Sequence, residues 1–179
     1  MNLLLHICCA PCSIYSWKHF EELGYDPQGY FFNPNIHPYR EFSSRLDSLR
    51  MLAKGEGWQI FTDERYLMEI FLRLAVSAGD ERCRLCYELR LRETAQQARH
   101  KEIDNFSTTL LLSPYQKHDL LKSVGNDVGQ QAGVNFIYAD LRSGFRESMQ
   151  QAREKELYCQ KYCGCIFSEK ERFYKPNDR

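Results

Sequence analysis

At 179 residues, with 43% apolar and 27% charged side chains, the chain has the size and composition of one globular domain. Lys plus Arg (24) balance Asp plus Glu (24), so no global positive field announces a nucleic-acid partner and only a local basic face could serve one. No stretch approaches the roughly 18 to 20 apolar residues of a membrane span, and the start at Met1 to His6 lacks the basic n-region of a signal peptide, which points to a cytoplasmic protein with no membrane partner.

Leu3 to Ile7 has strand character, and Ser13 to Leu23 reads as a helix closed by Gly24 at its C-cap. Gly29 to Phe32 makes a second strand, leading into the irregular loop Asn33-Pro34-Asn35-Ile36-His37-Pro38, which is placed to edge a binding site. Phe42, Leu46, Leu49 and Ala53 recur at helical spacing, Trp58 to Phe61 gives a third strand, and Leu67, Ile70, Phe71 and Leu74 form another helical face. A long helix begins near Cys83 and runs to about Arg99. Phe106 to Leu112 is the clearest strand, Lys117 to Ala132 is a helix, and Asn135 to Tyr138 is a fifth strand. After Ser143 the chain is helical, with a break at Cys163-Gly164-Cys165. This alternation predicts an α/β fold: residues 1–179 as a single domain, with a mostly parallel, Rossmann-like sheet of about five strands, flanking helices and a helical C-terminal segment.

Eight cysteines in a reducing compartment read first as metal ligands or catalytic thiols. The segment His6-Ile7-Cys8-Cys9-Ala10-Pro11-Cys12-Ser13 lies where the first strand gives way to the first helix, the edge along which open α/β sheets bind ligands. Adjacent Cys8 and Cys9 point apart. They suit two irons of a cubane better than one tetrahedral zinc. Cys83-Arg84-Leu85-Cys86 is a CxxC at a helix start, where the macrodipole and Arg82, Arg84 and Arg90 favour thiolates. Together the two pairs supply the four thiolates of a 4Fe-4S cluster. Two other readings stand beside this one: a thiol-disulfide oxidoreductase using the CxxC at Cys9 and Cys12, and a zinc-stabilised RNA-binding module. The third group, Cys159 with Cys163-Gly164-Cys165, either forms a small strained ring suited to a redox switch or stays reduced. The first strand-to-helix turn has no glycine for approach to a phosphate, so no ATP, NAD or other nucleotide cofactor is expected.

HxCCAPC at His6 to Cys12, CRLCYxLR at Cys83 to Arg90, TTLLLSPYQ at Thr108 to Gln116 and YCGC at Tyr162 to Cys165, in that order, resemble the epoxyqueuosine reductase QueH family over essentially the whole chain. The resemblance implies that Cys8, Cys9, Cys83 and Cys86 bind a 4Fe-4S cluster and that Cys163 and Cys165 are a redox-active pair. It implies an oxidoreductase that removes the epoxide oxygen of epoxyqueuosine at a tRNA wobble position to give queuosine, without cobalamin, drawing on an unidentified electron donor. It also implies a second iron ion acting as a Lewis acid, for which Cys12 is the candidate ligand. His6 and Asp140 could reach such a site, although a buried structural His and a capping Asp are the more ordinary readings. For the RNA, six basic residues against two acidic between Arg82 and Lys101, and the aromatics Tyr115, Tyr158, Tyr162, Phe173 and Tyr174, are candidates, with solvated faces as the plain alternative. Ser113-Pro114-Tyr115-Gln116 is better placed to grip a substrate, or is a simple helix-start turn capped by Ser113.

Overall fold

Leu3, Leu4 and Leu5 are all wholly buried, which consecutive strand residues achieve only when both faces of their sheet are covered. In the computed structural model, which describes residues 1–176, they lie on β1 (Asn2–His6), the middle strand of five. The chain continues through α1 (Ala10–Glu22), β2 (Asp26–Phe31), α2 (Tyr39–Glu56), β3 (Ile60–Thr62), α3 (Met68–Ala78) and α4 (Arg82–His100). It closes with β4 (Asn105–Thr108), α5 (His118–Ala132), β5 (Asn135–Phe136), α6 (Phe145–Glu154) and α7 (Ile166–Phe173). Every strand pairing is parallel and the order is β3-β2-β1-β4-β5. The chain winds outward from β1 to β3, then crosses to the other side of β1 for β4. The carboxyl ends of β1 and β4 therefore flank the point where the winding reverses, the crevice in which such sheets hold ligands. α1 packs beside α2 and α6, while α4 packs beside α3 and α5.

The expected elements are all present, with shifted ends. α1 starts at Ala10, ahead of the expected Ser13, because Pro11 fits the first turn, where its missing N–H costs nothing. The strand expected at Phe106 to Leu112 stops at Thr108. There the Thr108 hydroxyl accepts the Leu110 N–H at 3.2 Å and turns the chain into a 3-10 helix, Thr109–Leu112, whose four residues are buried all the same. β5 is correspondingly short, since the Ser107 hydroxyl donates to the Ile137 carbonyl at 2.7 Å in place of a ladder partner. On α3 only Phe71 and Ala75 are buried, and Ile70 and Leu74 face solvent. The helical tail is interrupted over 155–165 rather than at Cys163 to Cys165 alone, because that segment docks side-on against α2.

Candidate metal centre

The parallel sheet delivers Cys8 and Cys9 to the reversal point directly after β1, and one helical turn brings Cys12 back over them. The sulfurs of Cys8, Cys9 and Cys12 all lie within 4.8 Å of one another, and among the described residues this is the group of His, Cys, Asp and Glu that could hold a metal ion. Cys8 and Cys9 sulfurs are 3.7 Å apart. From β4's side of the crevice, Thr109 fastens Cys8 twice, its hydroxyl taking the Cys8 N–H at 3.2 Å and lying 3.4 Å from Cys8 Sγ. Cys9 stands at the N-cap of α1, where a hydroxyl or carboxylate would ordinarily sit, and no side chain caps the turn. Ser148 on α6 locks that turn by donating to the Pro11 carbonyl at 2.6 Å and accepting the Tyr15 N–H at 3.2 Å.

The trio shares its protons unequally. Hydrogen bonds from Cys12 and Cys9, helped by Thr109, hold Cys8 well below the usual thiol range. Burial pushes the Cys9 thiol up, and hydrogen bonding to Cys8 pushes Cys12 up. At 0% and 4% exposure, Cys9 and Cys12 are not the accessible low-pKa pair that thiol exchange requires. The donor set of three converging buried sulfurs instead fits a thiophilic metal.

Two buried guanidinium groups supply the counter-charge. Arg90 donates to Cys86 Sγ at 3.1 Å and to the Cys86 carbonyl at 3.2 Å. Burial opposes its charge, but attraction to Cys86, Cys8 and Cys163 raises its pKa, so this one cation is felt by all three cysteine segments. Arg45, on α2, is held in the same way by Cys9, Glu41 and Cys8. Its Nε donates to Glu41 at 2.7 Å, and its other two nitrogens donate to the carbonyls of Cys163 (3.1 Å) and Tyr162 (3.0 Å).

Cys83 and Cys86 lie one turn apart at the start of α4, outside the 4.8 Å sulfur group. Cys86 is buried, which pushes its thiol up to about 11 against the pull of Arg90. It packs with Phe71 and Ala75, and Cys165 packs against the same cluster. Of the three arginines expected to favour thiolates there, Arg90 alone hydrogen-bonds a sulfur. Arg82 pairs with Glu171 and Arg84 with Glu81.

Cys163 is exposed and Cys165 half-buried. A hydrogen bond from Cys165 pulls the Cys163 thiol down to about 5 and pushes Cys165 up, so the pair is poised as one thiolate and one thiol. Their segment is held by Arg45, by the His37 N–H to the Gly164 carbonyl (2.8 Å) and by the Tyr162 hydroxyl on the His37 carbonyl. Gly164 has φ +125, and a Cβ there would meet Ile36 Cγ1 at 3.0 Å and Arg45 Nη1 at 3.2 Å. From the same segment Gln160 reaches Cys9 Sγ at 2.8 Å, while Cys159 bonds the Leu157 carbonyl. Thr109 lies within the TTLLLSPYQ motif, though nothing in that motif tied it to Cys8, and no local pattern pointed to Gln160. Arg45 did carry a signal, since it falls on the stripe of Phe42, Leu46 and Leu49.

His6 is buried with both ring nitrogens engaged, one by Thr108 Oγ1 at 2.9 Å and one by the Phe32 carbonyl at 3.1 Å, so it pins β1 to its neighbours. Burial, reinforced by Arg90, pulls its pKa down to about 4. Asp140 is exposed, binds Arg142 and accepts that residue's N–H at 3.2 Å, a local turn cap. Ser113 accepts the Tyr115 N–H at 3.3 Å as a turn residue, and Gln116 Oε1 accepts the Tyr87 hydroxyl at 2.8 Å. Among the described residues, no helix is long and apolar enough to cross a membrane.

A family model described as "Epoxyqueuosine reductase QueH" matches residues 3–171. A protein of that name from Dehalococcoides mccartyi is 41% identical over 176 residues, covering 98% of this chain and 97% of the relative. One from Thermotoga maritima is 31% identical over 96% of this chain and 92% of its own length, and one from Streptococcus pyogenes is 31% identical over 94% and 71%. Among solved structures, that of a predicted subunit of tRNA methyltransferase from Methanocaldococcus jannaschii superposes with a TM-score of 0.57 over 86% of this chain and 76% of that one, at 17% identity, a likeness of fold.

Proposed function

The chain belongs to the epoxyqueuosine reductase QueH family, and from that membership we propose that it works as one reductase domain that removes the epoxide oxygen of epoxyqueuosine in tRNA to give queuosine. The observation that carries this reading is the family match over residues 3–171, which takes in all eight cysteines. The reaction consumes two electrons and two protons and releases the oxygen as water.

Cys8, Cys9, Cys83 and Cys86 are the residues we assign to a 4Fe-4S cluster, with Cys12 as a ligand of a second iron. A thiolate-held cluster supplies single electrons, and an adjacent iron supplies a Lewis acid. The protein's own part is electrostatic and positional. Arg90 and Arg45 bring two fixed positive charges to a buried set of sulfurs, offsetting the cost of holding several thiolates out of water. Thr109 and Gln160 add hydrogen bonds to Cys8 and Cys9, fixing the sulfurs' orientation. Oxidation of the Cys163 thiolate and the Cys165 thiol to a disulfide releases two electrons and one proton, solvent supplies the second proton that the reduction requires, and an external donor then restores the reduced pair.

The test is anaerobic incubation of reduced enzyme with tRNA bearing the epoxide, followed by nucleoside mass analysis. Loss of one oxygen is expected, and an unchanged nucleoside would refute the named reaction. For the ligands, Cys83→Ala and Cys86→Ala should each abolish the visible absorbance and the stoichiometric iron and sulfide of the purified protein. Full iron loading in both variants would overturn the assignment.

A further inference from the structure

The loop that follows β4 is fastened at both ends to the cysteine site, yet it carries a large aromatic ring in open solvent. At its start, Thr109 contacts the backbone N–H and sulfur of Cys8. At its end, the hydroxyl of Tyr87, the residue after Cys86, donates to Gln116 at 2.8 Å and accepts the Lys117 N–H at 3.2 Å. Between these anchors Tyr115 is 83% exposed, the most exposed large hydrophobic residue among those described. It lies perpendicular to the Phe145 ring, with centroids 6.0 Å apart and planes at 86°, so the two rings do not stack and most of the Tyr115 surface stays open. The backbone beneath is set by the turn in which Ser113 accepts the Tyr115 and Gln116 N–H groups.

An exposed aromatic ring on a loop anchored to the cysteine site offers a flat apolar surface to a partner there. Its surroundings select the partner. Exposed Lys117 lies two residues away, and exposed Arg146 adjoins Phe145. An exposed aromatic ring with cations on its own loop and on the helix it packs against is a combination that binds unpaired nucleotides, the ring stacking on a base while the cations meet phosphate.

We propose that Tyr115 is the stacking platform for a nucleotide flanking the modified base of the tRNA, holding the RNA while the target nucleoside enters the cysteine site. This rests on tRNA being the substrate, as put forward above. A tyrosine ring supplies a large contact area with only two side-chain torsions to fix on binding.

The probe is an anticodon stem-loop RNA carrying the epoxide, titrated into the anaerobically purified enzyme, with turnover measured alongside. Tyr115→Ala should weaken binding roughly five- to a hundred-fold, the worth of one base–aromatic stack. Tyr115→Phe should restore it, since stacking needs the ring and not the hydroxyl. The loss should fall on KM and leave kcat at saturation within about twofold of wild type, as expected of binding energy present equally in ground and transition states. The dependence of log Kd on log salt should keep its slope in Tyr115→Ala, because stacking releases no counterions, and should flatten in Lys117→Ala. Wild-type affinity and KM in Tyr115→Ala would overturn the assignment of Tyr115 while leaving the reaction in place, as would equal losses in the Ala and Phe variants. Failure of the wild-type enzyme to bind or reduce the RNA would overturn the proposed reaction as well.

Discussion

Replacing Arg45 by Gln should destabilise the whole fold and loosen the Cys163 segment together. Arg45 is 1% exposed and its partner Glu41 only 8%, so the substitution strands a carboxylate inside the protein with the Tyr158 hydroxyl as its remaining partner. Breaking a buried ion pair from one side costs about 3–5 kcal/mol, since the surviving charge is left unpaired out of water. Native domains have only about 5–15 kcal/mol in hand, so roughly a fifth or more of the stability is at stake. With a urea m-value of about 2–3 kcal/mol/M for a chain of this size, the unfolding midpoint should fall by about 1–2 M. Wild type and variant are to be compared anaerobically at equal metal content. Adding Glu41→Gln to the variant should recover part of the loss, because the stranded charge goes with it. A loss below about 1 kcal/mol, the worth of an exposed surface pair, would refute the reasoning.

Three more outcomes follow from the same geometry. Alkylation of Cys163 by iodoacetamide, read by peptide mass, should rise with pH around a midpoint near 5, and Cys165→Ala should move the midpoint up towards the ordinary thiol range, because Cys165 is the main donor to the Cys163 thiolate. A wild-type midpoint above pH 8 would contradict this. Burial pulls His37 from 6.5 down to about 4, so between those values the unfolded chain takes up a proton that the native protein refuses. Stability held above about pH 6.5 is therefore lost as the pH falls toward 4, by about 3 kcal/mol. His37→Phe should flatten the profile of stability against pH in that window, and parallel profiles for the two proteins would dispose of the idea. Gly164→Ala places a Cβ at φ +125 against Ile36 and should cost about 1–3 kcal/mol in a thermal melt, against an expectation of no change if the segment can shift freely.

The fold was legible because its strands are bounded by strong punctuation and its central strand is apolar on both faces. The chain's hardest signal to read was Thr108-Thr109-Leu110-Leu111-Leu112. Its β-branched and apolar residues fit a strand, and only the Thr108 hydroxyl closing on Leu110 bends them into a 3-10 turn. The cysteine trio could be read from position, since a strand-to-helix junction in a parallel sheet lands at the carboxyl edge. What surrounds the sulfurs could not. Arg90 looked like one of several helix-start cations, and only the fold separates it from Arg82 and Arg84, which pair with surface carboxylates. Gln160 lies 151 positions from the Cys9 it touches, a separation that no local pattern reports.

That separation also fixes an order of synthesis. Cys9 leaves the ribosome long before Gln160, the residue that closes over it, and at about 5–20 residues per second the delay is roughly ten to thirty seconds. Throughout that interval the first three sulfurs are made but uncapped, with neither the fourth-helix thiols nor the C-terminal strap in place at the outset. The thiols of a half-synthesised chain thus lack the Gln160 contact to Cys9, which exists only once the C-terminal segment has been made.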